Sequence, residues 1–278
     1  PYDSYAELLM KRGRFDESIK SYEKALSIDP NFVASYIGIG NDYLFMGRPD
    51  EARATFAKID KVARNTGEHR IAHFWTAASY VREGATEKAL AELKAGYALA
   101  EAEHDGATMS GDLNLMGDIL REAGRADEAL AKYDESVKVM EQASVPDSVK
   151  GATRRNHLFE QGRVALAKND VATARAKAAE YATQVAARKA PFELRQQHEL
   201  AGLIALAEKR PSAAVQELKQ ANQQDPRIIY LTSVAAQDAG DAQAAAALAA
   251  KAAKFNGLAF SYAYVWNKAS KSMSTGAQ

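Results

Sequence analysis

His69 and His73 stand four residues apart in a stretch that reads as helix, the spacing at which two imidazoles on one face can share a metal ion. A metal needs further ligands, and no acidic partner has a place beside them, since Glu68 points to another side of the helix. They read as two solvated histidines near a helix start, so no metal and no cofactor is expected. His104, His157 and His198 are isolated. The chain has no Gly-rich phosphate loop, no nucleophile elbow and no Ser/His/Asp arrangement. Its carboxylates are scattered over helical faces that read as solvated, so no catalytic residues are expected and the protein is read as not an enzyme. Arg154 and Arg155, with Lys150 and His157, form a small basic cluster. Glu160 lies at helical spacing from it and is expected to neutralise it, an anion site being the alternative.

The elements that carry these residues repeat. Lys11-Arg12-Gly13-Arg14, Phe45-Met46-Gly47-Arg48, Arg82-Glu83-Gly84-Ala85 and Glu122-Ala123-Gly124-Arg125 each end an apolar helical stretch on a glycine. A second amphipathic stretch follows each of them. The glycines are 34, 37 and 40 residues apart, a period that means stacked helix pairs rather than one globular core. In the first unit Ala6, Leu8 and Leu9 form one helical face, and Gly13 stops that helix in a left-handed conformation. Phe15 opens the second helix, Ser18, Tyr22 and Ala25 recur on one face, and Asp29-Pro30 ends it. The series continues through Tyr36, Gly40, Tyr43, Gly47, Ala52 and Phe56; through Ala77, Tyr80, Gly84, Ala89 and Leu93; and through Leu113, Gly117, Leu120, Gly124, Ala129 and Tyr133. Later units are looser. Asn169 replaces the turn glycine in the fifth and Lys209 in the sixth, where the turn is least clear, and Gly240 returns in the seventh. Gly40, Gly117, Gly162 and Gly202 recur mid-helix, where each costs about 1 kcal/mol against Ala, which points to close approach of paired helices.

This pattern of small residue, turn glycine, Ala or Ser at the helix contact, aromatic and closing proline resembles the tetratricopeptide repeat (TPR) over about residues 2–256. The alanine-rich repeats look closest to bacterial members of that family. The resemblance implies an all-α superhelical solenoid of about seven helix-turn-helix repeats. The expected array covers 1–256, in units 1–31, 32–66, 67–106, 107–145, 146–191, 192–226 and 227–256. A C-terminal capping helix over 257–273 and a disordered tail over 274–278 follow. In such proteins the first helix of each pair lines an inner surface that holds a peptide. Counting from the turns, the groove residues are Ile37, Asn41, Phe45, Phe74, Arg82, Asn114, Asp118, Arg121, Phe159 and Arg163. Asn41 could pair with a peptide amide. Phe45, Phe74 and Phe159 could line pockets, or could belong to the core between repeats. The clamp by which some TPR domains hold a C-terminal carboxylate is absent, since its places carry Asp3, Glu7, Ile71 and Trp75.

Composition bounds the function further. Of 278 residues, 36 are Lys or Arg and 36 Asp or Glu, so the formal net charge is zero. That balance argues against nucleic acid as the main partner. No apolar run reaches the length of a membrane span. With no cysteine, disulfides, thiolate metal sites and a Cys nucleophile are excluded. A cysteine-free chain suits an extracytoplasmic site without establishing the compartment. The chain opens at Pro1, almost inside its first helix, so an upstream segment is expected. The reading is a non-catalytic scaffold that binds a polypeptide on its inner surface. The alternative is an accessory or regulatory region of a larger enzyme or sensor whose active domain lies upstream. Homo-oligomerisation through an exposed end of the stack is open.

Overall fold

At every turn between paired helices one residue holds a left-handed backbone. Gly13, Gly47, Gly84, Gly124 and Gly240 have φ between 73° and 84°, and Asn169 and Lys209 take the same role at 61° and 57°. A backbone amide just past each turn reaches back to a carbonyl near the helix end, as from Arg14 to Leu9 (3.0 Å) and from Arg210 to Ala205 (2.9 Å). The orphan carbonyls of the helix end are thus satisfied in the same way with or without glycine. The lysine at 209 is therefore a true turn residue; it occupies a conformation that glycine would adopt with less strain.

The computed structural model describes residues 1–275, with side chains through Ala269. It contains fifteen helices, and no strand occurs among the described residues. They are α1 (Tyr2–Lys11), α2 (Phe15–Ile28), α3 (Val33–Phe45), α4 (Pro49–Val62), α5 (Thr66–Glu83), α6 (Thr86–Ala102), α7 (Gly106–Glu122), α8 (Ala126–Gln142), α9 (Asp147–Ala167), α10 (Val171–Val185), α11 (Pro191–Ala207), α12 (Pro211–Leu218), α13 (Pro226–Asp238), α14 (Ala242–Ala253) and α15 (Tyr262–Thr275). The first fourteen pack as consecutive hairpins, α1 on α2 through α13 on α14. Proline at the first turn starts α4, α11, α12 and α13, where its missing N–H costs nothing. The side chains of Asn65, Asp105, Asp170 and Asp225 cap α5, α7, α10 and α13.

The chain divides into two compact units. Unit 1 comprises Pro1–His104 and Lys254–Ala263, and unit 2 comprises Asp105–Ala253 and the chain from Tyr264 onward. In unit 1 the first hairpin closes on Ala6, Ile19 and Tyr22, with Ile39 of α3 added. The Ser18 hydroxyl donates to the Ala6 carbonyl at 2.9 Å, a contact that only small residues allow. In α3 a Cβ on Gly40 would lie 2.1 Å from the Phe56 ring of α4, so the ring seats directly on backbone. In unit 2 the same packing recurs: a Cβ on Gly117 of α7 would lie 2.4 Å from the Tyr133 ring of α8. Beside it the Ser110 and Ser136 hydroxyls meet at 2.8 Å. Farther on, Phe159, Tyr181 and Leu200 join α9, α10 and α11 in one cluster, and Ala214, Leu218 and Ile228 join α12 to α13.

The C-terminal region departs from expectation in its boundaries. The last helix begins at Tyr262 rather than 257. Residues Phe255 to Ser261 are non-helical and are counted with unit 1, because their aromatic side chains are held there by side-chain packing. In unit 2, α15 lays Ala269 against Ile229 and Ala252, and Lys268 reaches Glu122 of α7 at 3.2 Å. The contacts thus run from the last hairpin to α7, farther than a cap over the last hairpin would need. The helix continues through Thr275, into the tail expected over 274–278; residues 276–278 lie outside the described residues.

Two groups expose the limits of this packing. Asp42 of α3 is fully buried, and no cation pairs with it among the described residues. Burial pushes its carboxyl up to about 7, and the Ser18 hydroxyl, already committed to Ala6, gives weak relief. In the unfolded chain that proton leaves near 3.8. Between those two values the folded state alone keeps it, so stability must fall as pH rises across the window and stay reduced above it. A loss of about 2–4 kcal/mol between pH 4 and 8 is expected. Urea midpoints at the two pH values measure it, and Asp42→Asn should flatten that part of the profile; equal slopes for the two proteins would contradict this account.

The seat of Tyr133 gives a second test. Its ring cannot swing aside, because its hydroxyl is tied to Asp118 at 3.1 Å. Gly117→Ala should therefore lose about 1–3 kcal/mol through overpacking, more than the ~1 kcal/mol gained in helix propensity. Gly111, on the same helix with open space around it, is the control, and Gly111→Ala should raise the melting temperature. If both substitutions stabilise the protein, the close approach is not a constraint.

Candidate functional site

In unit 2 the first helices of successive hairpins, α7, α9, α11 and α13, carry a continuous ladder of buried charge. On α7, Asp118 accepts hydrogen bonds from Arg121 (3.2 Å), from the Tyr133 hydroxyl (3.1 Å) and from Arg163 of α9 (3.1 Å). The same Nη1 of Arg163 donates to both oxygens of Glu160, at 2.9 and 3.1 Å. Its Nε faces Glu199 of α11 at 3.8 Å. Glu199 in turn accepts from Arg227 of α13 at 2.7 Å, and Asp225 caps that helix by accepting from the Arg227 amide at 2.9 Å. Glu160, Arg163 and Glu199 are all buried.

Burial alone would raise every carboxyl here, and the cations decide which one escapes. Against that burial, Arg163 and Arg121 hold Asp118 below the usual carboxylate range. Glu160 is pushed up to about 7: burial dominates, Arg163 opposes it, and the Asp118 charge adds to it. Arg163 is raised well above its ordinary value because, against burial, Glu160, Asp118 and Glu199 surround it. Three carboxylates thus share one guanidinium, and of Asp118 and Glu160 it is Glu160 that accepts a proton first. The phenol of Tyr264, raised by burial and by the Asp118 and Glu122 charges, closes the same region.

Above the ladder lies a cavity of about 270 Å³ lined by residues of these helices and the turn before α13. Amides line part of it. Asn114 donates to the Ser110 carbonyl (3.1 Å) and the Ser136 hydroxyl (2.8 Å), which uses its two N–H groups. Gln196 accepts from the Tyr181 hydroxyl and donates to Asn156 Oδ1, both at 2.9 Å. Asn156 therefore keeps its own NH₂ group for a ligand. At the rim stand Phe192, 60% exposed, and Arg195, an exposed cation with no ion pair among the described residues. A larger hollow of about 390 Å³ sits by the Lys209 turn, lined by Leu206, Lys209, Pro211 and Asp238; it lacks the converging amides.

The ten residues expected to line a groove divide between the units. Asn114, Asp118, Phe159 and Arg163 line the cavity, and Arg121 lies beside it, paired with Asp118 and Glu122. In the cavity Asp118 and Arg163 are already bonded to protein, and Phe159 is core, its ring under the Arg163 guanidinium at 5.2 Å. In unit 1, Ile37 is half-buried, while Asn41 is fully buried and donates to the Ile37 carbonyl of its own helix at 2.9 Å. Phe45 and Arg82 are buried, and Phe74 is half-buried. Glu160, Arg195, Gln196, Glu199 and Arg227 were missed. Their only sequence signal was a charge or amide on a first helix, and the pairing register was not readable.

The other chemistry-bearing residues are dispersed. His69 faces Asp60 at 3.1 Å and His73 faces Glu92 at 2.8 Å, and among the described residues no His, Asp and Glu cluster could hold a metal. The basic cluster does not close on Glu160 as expected. Arg154 pairs with Glu141 at 2.7 Å and Arg155 with Glu193 at 2.6 Å, and Glu160 is taken by Arg163, one turn on along α9. Among the described residues no helix is long and apolar enough to cross a membrane.

Family models described as TPR repeat and tetratricopeptide repeat match residues 6–47 and 37–104. No curated protein matches the sequence. Among solved structures, a tetratricopeptide repeat protein from Parabacteroides merdae matches with TM-score 0.53 at 12% identity, covering 100% of this chain and 98% of that one. The apo quorum sensor NprR from B. thuringiensis matches with TM-score 0.54 at 12% identity, covering 100% and 86%. The Cut9–Hcn1 hetero-tetramer of APC/C matches with TM-score 0.50 at 17% identity, and the match spans 100% of this chain but 49% of that one. At such identities the likeness is one of fold. The chain thus carries tetratricopeptide repeats over residues 6–104, and with the same left-handed turns continuing to Gly240 it is built as an all-α solenoid.

Proposed function

We propose that the protein is a non-catalytic scaffold that binds a polypeptide partner on the first-helix face of unit 2. The observation that carries this reading is the division of labour around the 270 Å³ cavity. Asp118, Glu160, Arg163, Glu199 and Arg227 neutralise one another within the protein. The Asn156 amide, the Arg195 cation and the exposed Phe192 ring are left over. A surface whose fixed groups are locked by their own hydrogen bonds needs little ordering when it binds, so mainly the peptide loses freedom.

Leftover chemistry also suggests what binds. A free guanidinium next to an exposed ring suits a peptide that places a carboxylate beside an apolar side chain, with an amide or carbonyl within reach of Asn156. Acid–base catalysis at this cavity gains no support, because Glu160, the carboxyl of the ladder that is raised toward neutrality, has both oxygens held by Arg163.

The test is selection from a displayed random-peptide library on the whole protein, followed by anisotropy titration of the selected peptides. Arg195→Ala and Asn156→Ala should each weaken binding by about tenfold, the worth of one hydrogen bond to a charged or buried group. Arg195→Ala should leave the melting temperature unchanged, whereas Asn156→Ala, which strands the Gln196 N–H it accepts from, should lower it slightly. The reading is wrong if selection yields no peptide, or if both variants bind with unchanged affinity.

A further inference from the structure

Unit 1 carries a ligand-like segment of its own. Between α14 and α15 the chain from Phe255 to Ser261 is neither helix nor strand. Its backbone–backbone hydrogen bonds are local, from Ala259 to Gly257, Tyr262 to Ala259 and Ala263 to Phe260. What holds it against α3 and α5 is therefore side-chain packing. The Phe260 ring lies 5.0 Å from that of Phe74, tilted at 59°. The Tyr262 ring lies 5.0 Å from that of Phe45, tilted at 50°, and Phe45 continues to Phe15 at 5.7 Å. The Tyr262 hydroxyl sits beside the Arg82 guanidinium, which tempers the rise that burial gives the phenol. At the segment's start, the Asn256 amide lies 3.5 Å from the place a Cβ on Gly13 would take.

The three residues touched, Phe45, Phe74 and Arg82, come from the first helices of two successive hairpins, the positions at which a peptide was expected from the sequence. Aromatic rings in tilted contact and a phenol beside a guanidinium are specific geometries, each favourable beyond mere area. Yet the segment keeps the signs of an occupant that could leave. Leu258 is 42% exposed, Phe255 and Phe260 are half-buried, and the connection to α14 passes through Asn256-Gly257.

We propose that Phe260-Ser261-Tyr262 is a built-in ligand of unit 1. This face recognises an aromatic–X–tyrosine segment in a turn conformation, and an external polypeptide of that pattern binds by displacing residues 255–262. The proposal rests on the reading of the chain as a polypeptide-binding scaffold, but places a second site in unit 1 with a stated ligand chemistry. Tethering sets the threshold for exchange. A segment joined by a short linker competes at an effective concentration in the millimolar range, so the apparent affinity for an outside peptide falls by the fraction of time the face is open.

The probe is a fluorescein-labelled peptide with the sequence of residues 255–265, titrated by anisotropy into the whole protein. The double variant Phe260→Ala/Tyr262→Ala, with its face vacated, should bind at least tenfold more tightly than the unaltered protein. Adding Phe45→Ala should remove that binding, and a peptide carrying alanine at its two aromatic positions should not bind. Equal affinity for both proteins, or binding by neither, overturns the proposal. Should the double variant fail to fold by circular dichroism, hydrogen exchange on the unaltered protein decides. Excess peptide should speed exchange across residues 255–262, and no change there counts against displacement. Because the probe is the chain's own sequence and the readout lies in unit 1, failure here leaves the library test on unit 2 standing.

Discussion

Everything in this architecture depends on how closely two helices of a hairpin approach. Where Gly40 meets Phe56 and Gly117 meets Tyr133, a ring lies on bare backbone, and even one methyl group would collide. That contact fixes the rotation of each helix about its axis, and so fixes which residues of the first helix point away from its partner. The left-handed turn residue sets the other end of the same geometry. Its role outranks its identity: Asn169 and Lys209 hold the conformation that glycine holds elsewhere, the packing of the hairpin supplying what the residue lacks in propensity.

Once rotation is fixed, polar groups on the first helices have no choice but to be buried or to face the open side, and desolvation then sorts them. In unit 2 the sorting is cooperative. Asp118, Arg163, Glu199 and Arg227 come from four different helices and pair in sequence, by hydrogen bonds at both ends and by charge alone between Arg163 and Glu199. Removing any member would strand a buried charge. In unit 1 the equivalent region has Asp42, buried without a cation, which responds by keeping its proton. One architecture therefore yields two solutions: countercharges hold Asp118 ionised, and where they fall short, at Glu160 and at Asp42, burial favours the protonated carboxyl.

The turns, the small residues at helix contacts and the seated aromatics were legible in the sequence because each is a local rule with a fixed offset from Gly13, Gly47, Gly84 or Gly124. The ladder was not. Arg163 finds Asp118 across 45 residues and Arg227 finds Glu199 across 28, and those pairings depend on the register between hairpins. Glu160 shows the consequence. At helical spacing from Arg154 and Arg155 it looked like their counterion, but Arg163, one turn on, takes it. The start of the last helix failed for a related reason. Leu258 to Ser261 has helical-looking composition, but Phe260 gains more by packing on Phe74 than by continuing a helix from Gly257.

The zero net charge of the chain takes on a different sense in this light. In the unit 2 ladder neutrality is internal pairing, and a cation that neutralises a buried carboxylate cannot also recognise a ligand. In the proposed reading recognition falls to a cation left without an ion pair among the described residues, and on the first-helix face of unit 2 Arg195 is such a residue. Around it the paired groups act as a rigid frame, since an arginine held by two or three carboxylates has lost its conformational freedom before any ligand arrives. Specificity in such a site arises from the mismatch between the charges the fold consumes and those it supplies. A substitution that freed Arg163 from Glu160 would leave a cation less fully paired and soften the frame around Arg195.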